Sequence, residues 1–386
     1  MKIFFVARGW PSEREPQWGC FERDQALALK ALGHHVVVMS VDRRFRNHKR
    51  FYGVTKRLND GIPHYDFFAG GAWGKIIKKV SFNLYIKLTR NLFLILLKKV
   101  IKQEGMPDLI YSHYLGNSSI ALAAKQKYGM RIVGIEHWSE LGYEDIRSNV
   151  KCWAGRVYKD LDCLFTVSAS LRENIKKNLD IDSVVVNNMV GSDFFYVTKE
   201  KVPGMVRFIS TGNLLPVKGF DNLINAFARL GLPPDTWVLN IVGGGKEHDN
   251  LQELINRLHL EQNVHLCGRK KRDGVVDLLH NSDVYIMSSR SETFGVAAIE
   301  ALACGLPVIA TDCGGARDFL TKENGVMCPV NDVYKLAEAI LHMYKCCQDF
   351  DGKKIAEDCK RRFSSEAIGK QLEGLFEEII RNNKKQ

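Results

Sequence analysis

Hydrophobic residues in this chain come in short runs separated by helix-length stretches of mixed pattern. The first run, at 3–7, leads through a turn-rich loop at 9–19 into a helical pattern at 21–32. That pattern stops at Gly33, a natural C-terminal cap. A buried-strand run follows at 35–39, which completes a strand–loop–helix–strand unit. The alternation recurs with runs at 109–111, 131–135 and 163–167 and helical patterns at 118–128 and from Ser170. It starts again at 207–210, with a helical pattern at 221–230 and apolar runs at 237–242, 264–266, 284–287 and 307–310. Two doubly wound α/β domains in tandem account for this order, because parallel strands need helical crossovers. The segment 188–204 lacks periodicity and carries Pro203-Gly204, so the boundary is expected there. Ligands of such sheets bind beyond the carboxyl ends of the strands, so a cleft between the two loop edges is the expected site.

Composition narrows the class. The chain has 386 residues, 45% hydrophobic and 26% charged, enough for two separate cores. No uninterrupted apolar run reaches the ~18 residues of a membrane span. The N-terminus turns polar at Arg8, too soon for a signal-peptide core. Ten scattered cysteines without a CxxC pair suit a reducing compartment, and a cytoplasmic protein is expected.

Charge is uneven. Residues 1–190 hold 30 Lys+Arg against 18 Asp+Glu, whereas 191–386 hold 25 against 26. The excess concentrates at 43–50 and at 75–102. A basic half can face nucleic acid, an anionic membrane or an acidic substrate, or simply be a solvated surface. No nucleic-acid-binding motif accompanies it, so no specific nucleic-acid partner is expected. In 73–103 the run at 92–97 is too apolar for an exposed face and reads as a core helix. Trp73, Phe82, Tyr85 and Ile86 among lysines suit an anionic bilayer surface, and both readings can hold for different faces.

The sharpest chemistry lies at 289–307. An apolar strand ends, Glu292 stands in the loop, and Phe294-Gly295 opens a helix whose free N–H groups suit a pyrophosphate. Glu300 follows within the helix. Carboxylates so near an anion site repel phosphate unless they bind hydroxyls, and sugar and ribose hydroxyls are the obvious partners. Lys218, before Gly219 and after a strand, offers a fixed ammonium. Gly244 belongs to a glycine turn at 243–245, but His248 breaks any GxGxxG fingerprint. Gly19 offers bare backbone in the first loop. His113 and His137 each follow a strand, and His113 ranks second as a cleft residue. Asp312 and Asp318 flank Gly314-Gly315, where capping explains them.

The stretch SETFGVAAIEALACGLPVIATDCGG at 291–315 resembles the donor-binding motif of the retaining glycosyltransferases of family 4. STGNLLPVKGFDNLINAF at 210–227, IVGGG at 241–245 and GGARDFL at 314–320 agree in order and spacing. PSEREPQWGCFERDQALALKALGHHV at 11–36 is similar to the family's opening glycine loop and first helix. The resemblance implies a GT-B architecture, two Rossmann-like domains facing each other across a deep cleft. It implies an acceptor-binding domain at 1–190, a linker at 191–204, a donor-binding domain at 205–365, and a C-terminal helix at 366–386 packing back on the first domain. Glu300 would bind the donor's ribose. Glu292, with the N–H groups of Phe294 and Gly295, would hold the transferred sugar and pyrophosphate. Lys218 would neutralise the leaving diphosphate, so no metal or other cofactor is expected. His137 would contact the donor sugar, and Gly19 would lie near the donor phosphate and acceptor. Many relatives carry Arg where this chain has Asn213, and Arg269 is a candidate substitute.

The expected activity is hexosyl or N-acetylhexosaminyl transfer from a nucleotide-diphosphate sugar, most commonly UDP-linked in the family. The expected acceptor is a surface polysaccharide or a lipid-linked saccharide, met in the cytoplasm or at the inner face of the membrane. The alternatives are a same-fold nucleotide-sugar epimerase or sugar-phosphate synthase, and a catalytically silent donor-binding scaffold.

Overall fold

The computed structural model describes residues 1–15, 17–42, 52–70, 73–143, 145–198 and 204–382. The basic segment 43–50 lies outside them, as do the side chains of Trp73 and Lys75. The chain divides into two compact units. The first comprises Met1–Val167, Arg172–Met189 and the C-terminal residues from Ile368; the second comprises Ser168–Leu171 and Val190–Ala367. The second unit therefore takes five residues, 168–171 and Val190, from the stretch read as the first domain.

The first unit is an eight-stranded sheet. Its elements run β1 (Lys2–Val6), α1 (Cys20–Ala31), β2 (His35–Asp42), β3 (Gly53–Asn59), β4 (Ile62–Phe68), α2 (Trp73–Val80), α3 (Phe82–Glu104), β5 (Leu109–His113) and α4 (Tyr114–Tyr128). They continue with β6 (Ile132–Glu136), α5 (Ser148–Lys159), β7 (Cys163–Thr166), α6 (Ala169–Leu179) and β8 (Val184–Val185). The strand order is β3-β4-β2-β1-β5-β6-β7-β8, parallel except for β3 against β4. Strands covered on both faces need continuous apolar runs, and 3–6 and 36–39 are buried throughout. The β3–β4 hairpin is an addition to the sequence reading. Its Asp60-Gly61 turn has φ of 48° and 69°, the two positive angles that a twisted two-residue hairpin needs. The basic apolar stretch forms two helices, the hairpin whose faces the sequence reading weighed, and Ser81 accepts a hydrogen bond from the Leu84 N–H and starts α3 afresh. Phe93, Leu96 and Leu97 are buried, but Ile95 in the same run is exposed.

The second unit is a parallel six-stranded sheet ordered β11-β10-β9-β12-β13-β14. It contains β9 (Val206–Thr211), α7 (Phe220–Phe227), β10 (Trp237–Val242), α8 (His248–Arg257), β11 (Val264–Leu266), α9 (Arg272–His280) and β12 (Val284–Met287). Then come α10 (Val296–Ala303), β13 (Val308–Thr311), β14 (Gly325–Cys328), α11 (Val333–Cys346) and α12 (Gly352–Phe363). The last helix, α13 (Ser365–Asn382), returns to the first unit from Ile368 onward. Trp237 stacks on Phe227, which meets Phe208 edge-on, so β9, β10 and α7 are locked by aromatic contacts. Each sheet reverses its strand order beside its first strand: β1 lies between β2 and β5, and β9 between β10 and β12. Loops that leave these adjacent strand ends in opposite directions open a crevice, which marks where each unit can hold a ligand.

Candidate functional site

In the second unit, the loops leaving β9 and β12 meet beside the switch point. Lys218 closes a short turn at Pro216–Lys218, and Gly219 follows with φ 65°. A Cβ at Gly219 would stand 2.2 Å from the Ser288 carbonyl oxygen, so only glycine lets the loops approach this closely. The Lys218 stem crosses Gly212, and its Nζ pairs with Glu292 Oε1. The Ser289 hydroxyl donates to the same oxygen at 2.8 Å. Glu292 is fixed through its backbone too: its N–H donates to the Cys313 carbonyl, and its carbonyl accepts from Gly315. A Cβ at Gly315 would lie 2.3 Å from the Phe294 Cα, so the glycine pair admits the glutamate loop.

Phe294 is buried, with its ring edge-on to Phe319 and Phe363. Its side chain anchors the start of α10, and Gly295 caps that helix with φ 102°. Glu300 is half-buried on the second turn of α10. Tyr285, unremarked in the sequence reading, is buried with its hydroxyl 3.2 Å from Thr211 Oγ1. Burial pushes that hydroxyl's pKa up, with smaller contributions from Glu300 and Glu292. The remaining loops assemble by backbone contact. The Gly243 N–H donates to Gly268, and the Leu214 N–H, next to Asn213, donates to the Gly244 carbonyl. Exposed Arg269 lies across Gly244, its Nη2 donating to the Gly244 carbonyl at 3.4 Å. Asp318 accepts at 2.9 Å from the N–H of Ala169, which belongs to the same unit, while Asp312 forms a two-point ion pair with Arg317.

The first unit brings Gly19, His113 and His137 together. Gly19 starts α1 with φ 81°, and a Cβ there would be 2.3 Å from the Gly9 carbonyl oxygen. Two residues on, Phe21 stacks on His137, which lies beside His113, which stacks on Phe5, with centroids 5.3, 5.4 and 5.5 Å apart. His113 Nδ1 and His137 Nε2 are 3.3 Å apart, so one nitrogen donates to the other. Both rings are buried, and desolvation holds both well below the ordinary histidine pKa, so the pair is neutral near pH 7.

Sequence reasoning missed what holds these histidines. Glu136, 1% exposed, accepts from the N–H groups of Leu115, His137 and Trp138 and from the Tyr158 hydroxyl, at 2.6–2.8 Å. It thereby ties the β6 end to the start of α4, where Tyr114 adopts φ 69°. Fully buried Glu22 likewise takes a two-point contact from Arg8, whose guanidinium lies 4.0 Å over Tyr114. An acid beside a histidine at a strand end was the available signal for Glu136. Nothing in the local pattern marked Glu22, which reads as an ordinary first-turn acid.

Two α/β sheets, each with its loop cluster at the switch point, give the GT-B architecture. The chain belongs to the family 4 glycosyltransferases. The model described as Glycosyltransferase Family 4 matches residues 23–194, and that described as Glycosyl transferases group 1 matches 198–360. A Haemophilus influenzae uncharacterized glycosyltransferase is 33% identical over 82% of this chain and 83% of its own length. The Bacillus anthracis N-acetyl-alpha-D-glucosaminyl L-malate synthase is 28% identical over 74% of this chain and 78% of its own. Among solved structures, sucrose-phosphate synthase from Thermosynechococcus elongatus has a TM-score of 0.78 at 18% identity, covering 99% of this chain and all of that one. Anabaena HepE in complex with UDP and glucose has a TM-score of 0.71 at 19% identity, covering 98% of this chain and all of its own.

Proposed function

We propose that this chain is a retaining, metal-independent glycosyltransferase that moves a hexosyl or N-acetylhexosaminyl unit from a nucleotide-diphosphate sugar, UDP-linked in the leading reading. The Lys218–Glu292 pair at the adjacent ends of β9 and β12 carries the reading. In this reading a leaving diphosphate and its sugar lie side by side, the first against this cation and the second against this carboxylate. Lys218 turns from Glu292 to the β-phosphate as the donor enters, and Glu292 then accepts hydroxyls of the sugar. The N–H groups of Phe294 and Gly295 hold the pyrophosphate. Asn213 and Arg269 complete the diphosphate's donors, Gly244 and Gly19 admit it by lacking side chains, and Glu300 takes the ribose hydroxyls. His137, neutral and braced by His113, hydrogen-bonds the sugar.

In the retaining step, the bond from the anomeric carbon to the diphosphate breaks. The acceptor oxygen bonds to the same face, and its proton passes to the departing phosphate oxygen. The protein supplies position and charge rather than a nucleophile. The acceptor in this reading is a surface polysaccharide or lipid-linked saccharide, reached from the cytoplasmic face. Residues 67–103 support a contact with anionic membrane: they contain eight Lys and Arg and no Asp or Glu. Apolar Ile76, Val80, Leu84 and Ile95 are exposed among them.

The test is a thermal-shift series with UDP, GDP, ADP and their sugar conjugates. A ligand at a hundred times its dissociation constant adds about 2.7 kcal/mol, a shift of several degrees. One nucleotide is expected to stabilise the chain and to lose that effect in Glu300→Ala. Stabilisation retained in Glu300→Ala would remove the ribose role. Binding without sugar transfer to any acceptor would favour the silent scaffold.

A further inference from the structure

Arg290 stands in the glutamate loop, two residues before Glu292, yet its side chain turns towards the lysine loop. Its Nη1 donates to the Pro216 carbonyl, its Nη2 to Asp221 Oδ2 at 2.7 Å, and its Nε to Asn331 Oδ1 at 3.0 Å. Its backbone N–H donates to the Val217 carbonyl at 2.7 Å, and the neighbouring Ser288 hydroxyl donates to the Lys218 carbonyl at 3.0 Å. The three residues of the lysine turn, 216–218, are thus each held through their carbonyls. Asp221 lies in the first turn of α7, directly after that turn. Asn331, before α11, also accepts from the Asn222 amide at 3.2 Å and adopts φ 60°. One guanidinium therefore joins three segments: the turn after β9, the start of α7 and the turn after β14.

From this geometry we infer that Arg290 is a positioning residue for Lys218, a fork that fixes the lysine turn so that the ammonium rests at Glu292 until the donor enters and is then presented to the diphosphate. The inference rests on reading Lys218 as the diphosphate ligand. A long lysine side chain loses considerable rotamer freedom when it is ordered. Fixing the backbone at its base lowers the entropy that remains to be lost when phosphate binds. Only arginine fits, because the three acceptors lie in different directions and a single ammonium cannot span them.

The first experiment needs no nucleotide. The chain is acetylated sparingly with acetic anhydride, and the labelling of Lys218 is read by peptide mass spectrometry against Lys176, which is paired with Asp180 in the first unit. If the fork holds the pair together, Arg290→Met frees the Lys218 amine, and its labelling relative to Lys176 rises by about fivefold, the equivalent of losing one modest ion pair. Arg290→Lys, which keeps the charge and serves if the Met variant does not fold, is expected to behave the same way. Unchanged Lys218 labelling in either folded variant would overturn the inference.

The second experiment measures UDP affinity in a double-mutant cycle. Arg290→Lys should weaken binding when Lys218 is present and have no further effect in Lys218→Ala. An equal loss in both backgrounds would mean that Arg290 only supports the fold, which also overturns it. A chain that binds no nucleotide at all would count against the proposed function, while the labelling ratio would still decide the role of Arg290.

Discussion

Glu136 shows how much of a candidate site can rest on one carboxylate that gathers four protein donors. Burial holds its carboxyl above the usual range, while the Tyr158 hydroxyl and three backbone N–H groups pull it down. Glu136→Gln would turn one oxygen into a donor facing donors, leaving buried groups unpaired. The expected cost is about 2–4 kcal/mol, measured by chemical denaturation. His137 contacts should be lost with it, because the His137 N–H is one of the four donors. The sequence made the histidines and Glu292 visible, since each follows closely on an apolar run. It could not show Glu136 as a hub, because its four partners lie at 115, 137, 138 and 158 and converge only when β6, α4 and α5 pack. Arg290 was hidden for the same reason, its acceptors being spread from 216 to 331.

At the scale of elements, parallel strands were legible because covered strands must be apolar throughout, so 3–7, 35–39 and 284–287 stand out. The β3–β4 hairpin was not, because β3 sits at the sheet edge with Lys56, Arg57 and Leu58 exposed. An edge strand of mixed pattern carries little periodic signal beyond its Asp60-Gly61 turn. Helices α2 and α3 read ambiguously because one pattern serves two purposes: Phe93, Leu96, Leu97 and Val100 fill the core, while Ile76, Val80 and Leu84 face out. If the outward set meets a membrane, the paired change Ile76→Glu, Val80→Glu should leave the melting temperature within about a degree, as expected for exposed sites. It should also abolish co-sedimentation with phosphatidylcholine–phosphatidylglycerol vesicles. Undiminished sedimentation would move the contact elsewhere.

Across the whole molecule, acid sensitivity should trace to the two stacked histidines. Both are neutral when folded, with pKa values held below the ordinary 6.5, so only the unfolded chain gains their protons as pH falls. Their contribution is complete above about pH 6.5 and is lost below it, at up to about 1.4 kcal/mol per pH unit for each histidine. Urea midpoints should therefore fall between pH 7.5 and 5, and His113→Phe should flatten that slope by about one proton. An unchanged slope would place the acid sensitivity in other groups.

The return of α13 to the first unit bears on the order in which this protein is made. Phe376 and Leu372 are fully buried, and Phe376 packs its ring against Tyr111 of β5 and Phe165 of β7. Domains ordinarily fold as units, the N-terminal one first, while synthesis continues. Here the sheet built from residues 1–189 lacks part of its interior until α13 has been translated. Of the two units, the one that is translated earlier cannot be finished until α13, which follows the other in the chain, has been made. A nascent chain carrying both sheets but no α13 would hold Tyr111 and Phe165 uncovered, a surface suited to capture by a chaperone.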